Sequence, residues 1–182
     1  MAVHDRVEAE RGWRQHWPQI ARLLAAGGAP GRFGVEVDDI DTTVARLRAE
    51  GLALRDPMLG TIAFEDGTIG SWSLAPMQDA PAWAPFFTNY GRTPEERRRG
   101  RDRAASPWQV EVLRVETPDP VTSAQWMARA LGSTAIGQRV PAGDVTFAFV
   151  AGPRDRIVEI ELNGDGSPVG EVSGLGYRRA AS

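Results

Sequence analysis

The stretch "VEVDDIDT", residues 35–42, recurs eighty residues later as "VETPDPVT", residues 115–122. Val, Glu, Asp and Thr occupy the same four positions in both stretches. In each copy a strand pattern gives way to an acidic residue of the kind that begins a helix. We interpret the two copies as the trace of an internal duplication, in which one strand-and-helix unit was built twice.

The residues around the first copy predict a strand and then a helix. In "RFGVEV", residues 32–37, apolar residues alternate with the others, as in a strand with one apolar face. The helix begins at Asp39 or Asp41, whose carboxylate can accept a hydrogen bond from the first turn, and it ends before Gly51. Further extended stretches are expected at 52–58, 60–65 and 68–75, with an extra strand at 85–90.

The second copy is followed by the same order of elements. "WQVEVLRVE", residues 108–116, predicts a strand, and the next helix begins at Pro120 and ends at Gly132. Extended stretches follow at 133–140, 145–150 and 156–163. Both units therefore read strand, helix, three strands.

Composition places the chain among globular proteins and excludes several functions. Of its 182 residues 42% are hydrophobic and 25% are charged, and the net charge of −3 argues against a nucleic-acid partner. Cysteine is absent, which removes disulfides and thiolate nucleophiles. No run reaches the roughly 20 apolar residues of a membrane span, and the N-terminus lacks a secretory signal. We expect a cytoplasmic protein without a membrane partner.

Five segments are predicted along the chain. The first is helical and carries a stripe formed by Trp13, Trp17, Ile20 and Leu24. The segments are an N-terminal helical segment (1–29), a first module with its extra strand (30–90), a polar linker (91–107), a second module (108–163) and a flexible tail (164–182).

Four stretches carry a resemblance to a known superfamily. They are "FGVEVDDIDTTVARLRAEGL", "EDGTIGSWSLA", "PFFTNYG" and "VLRVETPDP". Together they resemble the vicinal oxygen chelate superfamily of glyoxalase and bleomycin-resistance proteins, and within it the proteins with a glyoxalase-like domain. The resemblance implies an α+β fold in which paired βαβββ modules form a curved, open mixed-sheet cup, here with an added N-terminal helical segment.

The resemblance also locates the superfamily's metal positions, which hold a divalent ion in metal-dependent members. The first-strand positions fall near Arg32 and Val112. The last-strand positions fall near Gly70 or Trp72, and near Glu159. Only Glu159 is a plausible ligand, and one carboxylate does not hold a catalytic ion. We therefore expect no cofactor and no divalent metal. Both histidines lie in the N-terminal segment, which stays the alternative source of a ligand.

Charged residues are expected to converge inside the cup. Alternation turns Arg32 and Glu36 toward it from the first unit, and Arg114 and Glu116 from the second. The two glutamates then form a candidate catalytic acid/base pair, and Arg114 a clamp for an oxyanion. Arg32 and Glu159 are candidate ligand contacts. The alternative is that these charges pair with one another.

Aromatic residues are the other candidate site. We expect Trp72, Phe87 and Tyr90 to contact a flat organic ligand, with Asn89 as a polar anchor. Ordinary core packing is the alternative for the same rings.

These features support one leading interpretation and two alternatives. The leading one is a metal-independent, glyoxalase-like protein that holds an aromatic or amphipathic small molecule in the cup. The first alternative is a metal-independent lyase, isomerase or cyclase that uses a glutamate general acid/base and an arginine oxyanion clamp. The second is a protein-interaction subunit with a filled cup. Exposed sheet edges and the Trp-rich N-terminal stripe further suggest a homodimer.

Overall fold

The computed structural model describes residues 33–63, 67, 69–93, 95–96, 108–164, 170–172 and 175–180. The predicted N-terminal segment, Arg32 and most of the predicted linker lie outside these residues. In chain order the elements are β1 (Gly34–Glu36), α1 (Ile40–Ala49), β2 (Met58–Ala63), β3 (Ile69–Pro76), β4 (Phe86–Asn89), β5 (Gln109–Thr117), α2 (Pro120–Leu131), β6 (Arg139–Ala142), β7 (Val145–Ala151), β8 (Arg156–Asn163), β9 (Gly170–Val172) and β10 (Leu175–Arg179).

Both helices begin and end as the sequence predicts. The carboxylates of Asp39 and Asp119 each accept a hydrogen bond from the backbone N–H three residues later, at 2.9 Å and 3.1 Å. These bonds hold the pKa of both carboxyls below its ordinary value. Gly51 and Gly132 follow the helix ends with φ of 79° and 64°, a conformation that favours glycine. Within the described part of the chain, neither helix is long and apolar enough to cross a membrane.

The described strands form two open mixed sheets. The four-stranded sheet has the order β1-β4-β3-β2, with β1 parallel to β4. The six-stranded sheet has the order β6-β7-β5-β8-β10-β9. The architecture is α+β, as predicted, and each unit has the order strand, helix, three strands, although the three strands of the first unit are not the three predicted.

Two predicted strands are wrong in their bounds. Residues 52–57 make only an isolated bridge, between Leu54 and Met77, and β2 begins after Pro57, which has no N–H to donate. Leu52 and Leu54 are buried against α1, so their alternation reflects packing and not a ladder. The stretch predicted as extended at 133–140 is also mostly outside a strand, because β6 begins only at Arg139. The extra strand at 85–90 is the last strand of the first unit, because β4 inserts between β1 and β3.

The predicted flexible tail, residues 164–182, is also corrected. It contains β9 and β10, and β10 runs parallel to β8. Leu175 is 5% exposed and Tyr177 packs against the same core cluster. These two alternating apolar side chains bind the tail to the sheet, a signal that the surrounding glycines obscured.

The second unit is assembled differently from the first. Its last strand, β8, lies on the side of β5 opposite to β7, so β5 is an interior strand. Leu113 and Val115 of β5 pack in the cluster beneath α2. Arg114 and Glu116 therefore point to the other face of the sheet, as alternation requires.

The two units share packing through Trp83, which lies in the connection between β3 and β4. Its ring is 1% exposed and belongs to the core cluster of the second unit. It meets Trp126 and Phe149 edge-on, with ring centroids 5.4 Å and 5.2 Å away. Its indole N–H donates to Asp155 at 3.0 Å. A residue of the first unit thus completes the core of the second.

Candidate functional site

Four charged side chains meet on the face of the second sheet turned away from α2. We call Arg114, Glu159, Glu161 and Arg178 the ionic cluster. Arg114 Nε lies 2.8 Å from Glu159 Oε1, and its Nη2 lies 2.6 Å from Glu161 Oε1. Arg178 approaches the same two carboxylates, with its Nε 2.9 Å from Glu159 Oε1. The Arg114–Glu159 contact is close but not aligned as a hydrogen bond, so its attraction is that of an ion pair.

The cluster keeps Glu161 ionised although it is nearly buried. Burial alone would raise the pKa of this carboxyl. Hydrogen bonds from Arg178 and Arg114, together with their positive charges, outweigh burial and hold the pKa of Glu161 below its ordinary value. The bond to Glu161 in turn raises the pKa of Arg178. A carboxyl of this kind is a charge partner and not a proton donor at neutral pH.

Glu116, a predicted catalytic residue, is bound by a different arginine. Its Oε2 accepts hydrogen bonds from Arg156 Nε and Nη2, at 3.2 Å and 3.0 Å. Its Oε1 accepts a bond from the backbone N–H of Arg154 at 3.1 Å. The side chain also occupies the space that a Cβ at Gly152 would need, at 2.2 Å from Glu116 Cγ. These contacts hold the carboxylate at the end of the strand.

Glu36, the other predicted catalytic residue, lies at the end of β1 near a third arginine. Its Oε1 is 3.6 Å from Arg92 Nε. The Arg92 guanidinium lies 4.6 Å from the ring centroid of Tyr90, in a cation–π contact. Tyr90, a predicted ligand contact, is 43% exposed. The duplicated glutamates thus take guanidinium partners on different segments of the chain.

The other residues predicted to contact a ligand make contacts within the protein. Phe87 is 1% exposed and packs in the core beneath α1. Asn89 donates its amide to two backbone carbonyl oxygens after β1, at 2.8 Å and 2.7 Å, and so ties β4 to β1. The Trp72 ring lies over Gly60, where a Cβ would be 2.4 Å from the indole. These contacts account for the residue types without a ligand.

The superfamily's metal positions in the second unit do not fit an ion. Val112 is apolar and buried, and Glu159 lies against two guanidiniums that repel a cation. Gly70 and Trp72 lie on β3, which is not the last strand of its unit, so the predicted last-strand position there is wrong. Within residues 33–63, 69–93 and 108–164, no group of three His, Asp or Glu side chains is placed to hold a metal.

An apolar cavity of about 620 Å³ lies between β1 and the end of α2. Its walls come from β1, β5, α2 and the β6–β7 hairpin and include Phe33, Val35, Leu113, Leu131, Val145 and Phe147. Phe33 and Phe147 are stacked, with centroids 4.8 Å apart. Among the residues that the structure describes, no charged side chain lines the cavity. Sequence reasoning missed this site, because alternation marks these side chains as core and does not reveal whether the core is filled.

Comparison with known proteins identifies the family. The family model described as "Glyoxalase-like domain" matches residues 1–131. The chain therefore belongs to the glyoxalase-like domain family of the vicinal oxygen chelate superfamily, and the predicted resemblance is confirmed. No curated protein matches.

A solved structure supports the fold. The crystal structure of a hypothetical protein from Staphylococcus aureus is similar, with a TM-score of 0.70 and 12% sequence identity over 81% of this chain. The match spans 64% of that protein, slightly less than two thirds of its length. At this identity the likeness extends to the fold alone.

Proposed function

We propose that this chain is a small-molecule-binding protein that holds an aromatic or amphipathic compound, without a metal, in the apolar cavity between β1 and α2. The cavity carries the proposal. Its volume of about 620 Å³ lies within the range of roughly 300–1,000 Å³ common for small-molecule sites. Membership of the glyoxalase-like domain family is compatible with such a site.

The walls of the cavity define the chemistry of the ligand. The stacked rings of Phe33 and Phe147 offer an aromatic surface, and the lining residues that the structure describes carry no charge, which disfavours a charged group beside them. Ser133, at the end of α2, donates its hydroxyl to the Pro141 carbonyl at 2.8 Å. Its oxygen keeps acceptor capacity toward a donor on the ligand. A charged substituent therefore belongs at the mouth.

The enzyme alternative receives less support from the same geometry. An oxyanion clamp needs a guanidinium that is available to substrate, whereas Arg114 is engaged by two carboxylates. An acid/base pair needs a carboxyl that exchanges its proton near neutral pH. Of the predicted pair, Glu116 accepts hydrogen bonds from Arg156 and a backbone N–H, whereas Glu36 lies beside Arg92 on another segment, so the two carboxylates face separate guanidiniums.

Dye binding to a cavity-filling variant tests the proposal. Val110 is 36% exposed and lines the cavity, so Val110→Trp extends a ring into the opening without disturbing buried packing. We expect 8-anilinonaphthalene-1-sulfonate to bind the unmodified chain saturably, and Val110→Trp to weaken binding roughly tenfold or more. Ile136→Trp, at a 71% exposed position outside the cavity lining, is the matched control.

Three outcomes would count against the proposal. The first is no saturable binding to the unmodified chain, and the second is equal affinity in the Val110→Trp variant. The third is loss of binding on treatment with EDTA, which would show that a metal takes part. Native mass spectrometry of the purified protein adds an independent readout, because a co-purified compound appears as a discrete increase in mass.

A further inference from the structure

Two residues that line the apolar cavity are joined to each other by a hydrogen bond. Ser133 follows the end of α2, Pro141 lies on β6, and both belong to the cavity wall. The Ser133 hydroxyl donates to the Pro141 carbonyl oxygen at 2.8 Å. A carbonyl oxygen accepts and cannot donate, so the direction of this bond is fixed. The wall therefore presents a hydroxyl whose single proton is already used.

The Ser133 oxygen faces the cavity as an acceptor among hydrocarbon side chains. A hydroxyl oxygen has two lone pairs, and donating its proton uses neither of them. Leu131, Ala142 and Val145 lie in the same wall. A ligand that donates a hydrogen bond satisfies this oxygen, whereas a ligand that only accepts leaves two acceptors facing each other in apolar surroundings. The wall thus favours a donor on the ligand.

Backbone contacts on α2 and the bond to β6 together fix the position of Ser133. Its backbone N–H donates to the Ala128 carbonyl oxygen at 2.8 Å. Gly132 before it has a φ of 64°, and its N–H donates to the Arg129 carbonyl oxygen at 3.1 Å. These bonds close the last turn of the helix. The acceptor is therefore placed by structure that is formed before any ligand binds.

A guanidinium beside the same helix end disfavours a cationic ligand. The end of a helix carries a partial negative charge, which by itself attracts a cation. Here Arg46 of α1 donates to the carbonyl oxygens of Arg129 and Ala130, both at 3.2 Å. Its Cζ lies 3.8 Å from where a Cβ at Gly132, a lining residue, would be. Glu50 Oε1 balances this guanidinium from 2.8 Å, so neither a cation nor an anion gains there.

We propose that the ligand is a neutral aromatic alcohol of the phenol or naphthol class, whose hydroxyl donates to Ser133 Oγ. This ligand class rests on the proposed function, since it concerns the same cavity. The stacked rings of Phe33 and Phe147 receive the flat part of the ligand. Ser133 is then a specificity-determining residue, because it distinguishes ligands by whether they carry a donor.

Binding of naphthol and of its methyl ether tests the role of Ser133. The two compounds share a ring system and an oxygen, but only naphthol donates a hydrogen bond. Equilibrium dialysis gives the ratio of the two affinities, and the ratio should fall roughly fivefold from the unmodified chain to Ser133→Ala. Affinity for the ether should be kept in Ser133→Ala, which shows that the variant is folded. Ser133→Thr retains the hydroxyl and should retain the ratio.

The outcomes separate the ligand class from the proposed function. Saturable binding of both compounds with an unchanged ratio in Ser133→Ala would overturn the ligand class and leave the cavity as a binding site. Equal loss of both compounds in that variant would also overturn it, because Ser133 would then only shape the cavity. Naphthylmethylamine, a cation at neutral pH, should bind more weakly than naphthol, and tighter binding would overturn the neutral class. If neither naphthol nor its ether binds the unmodified chain saturably, the proposed function itself fails.

Discussion

The two units share an order of elements but not an order of strands. In the first, β4 inserts between β1 and β3 and carries Phe87 into the core beneath α1. In the second, β8 lies on the opposite side of β5 and carries Glu159 and Glu161 alongside Arg114. The same succession of strand, helix and three strands therefore places its last strand in a core in one case and in an ionic cluster in the other.

The duplicated glutamates show the consequence of this difference. Glu36 lies 3.6 Å from Arg92, which is about half-exposed. Glu116 receives two hydrogen bonds from Arg156 and one from the backbone, and its side chain is only 13% exposed. Both glutamates keep the same place at the end of a strand. Their arginine partners differ because different segments became their neighbours.

The largest effect is expected from breaking the contact between the units. Trp83→Ala removes a fully buried ring and should lower the free energy of unfolding by about 3–5 kcal/mol in urea denaturation. Trp83→Phe keeps most of the ring but loses the bond to Asp155, so its loss should be smaller. A loss below about 1 kcal/mol for Trp83→Ala would indicate that the units do not share a core.

Removing one arginine beside Glu161 and another beside Glu36 compares how much each ion pair contributes to the free energy of unfolding. Arg114→Met leaves Glu161, which is nearly buried, with one partner and should cost about 1–3 kcal/mol, less than for a fully buried pair because Arg114 is part-exposed. Arg92→Met, at the longer and more exposed pair with Glu36, should stay within about 0.5 kcal/mol. Equal losses in urea denaturation would contradict the distinction between the two units.

The pH dependence of stability should follow Glu161. Its pKa is lower in the folded chain than its ordinary value of 4.5, so its contribution is full above that value and is lost as pH falls through the folded pKa. Urea denaturation at decreasing pH should show a steeper loss in the unmodified chain than in Glu161→Gln. Parallel curves would mean that the carboxylate contributes nothing through its ionisation.

The smallest effects on stability are expected at the helix starts, where both units have the same contact. Asp39→Ala and Asp119→Ala each remove a helix-start acceptor and should lower the urea midpoint by similar amounts. Asp39→Asn and Asp119→Asn keep the acceptor oxygen and should retain most of the stability. A large loss at one site alone would reveal a role beyond beginning the helix.

Local features of the fold were predictable because neighbouring residues determine them. The helix starts at Asp39 and Asp119 follow from side chains within a few residues, and so do the helix ends before Gly51 and Gly132. β10 was missed because Leu175 and Tyr177 form a short alternation among glycines. The place of β8 depends on a pairing between distant segments, which alternation does not specify.

The candidate site was predictable only in part, for the same reason. Alternation turned Arg114 and Glu116 toward the face opposite α2, but it did not reveal that Glu159 and Glu161 would engage Arg114 while Arg156 engages Glu116. The apolar cavity was not predicted, since its volume arises from how far β1 lies from α2 and the β6–β7 hairpin.

By itself the sequence determined the family, the repeated order of strand and helix, and which face each side chain takes, because backbone periodicity and helix termini are short-range properties. Tertiary structure alone decided which strands became neighbours. That choice placed the last strand of the first unit in the core and set the charged face of β8 beside Arg114, and it left an apolar space between the units. Such outcomes depend on contacts among residues far apart in the chain, which no short stretch of sequence encodes.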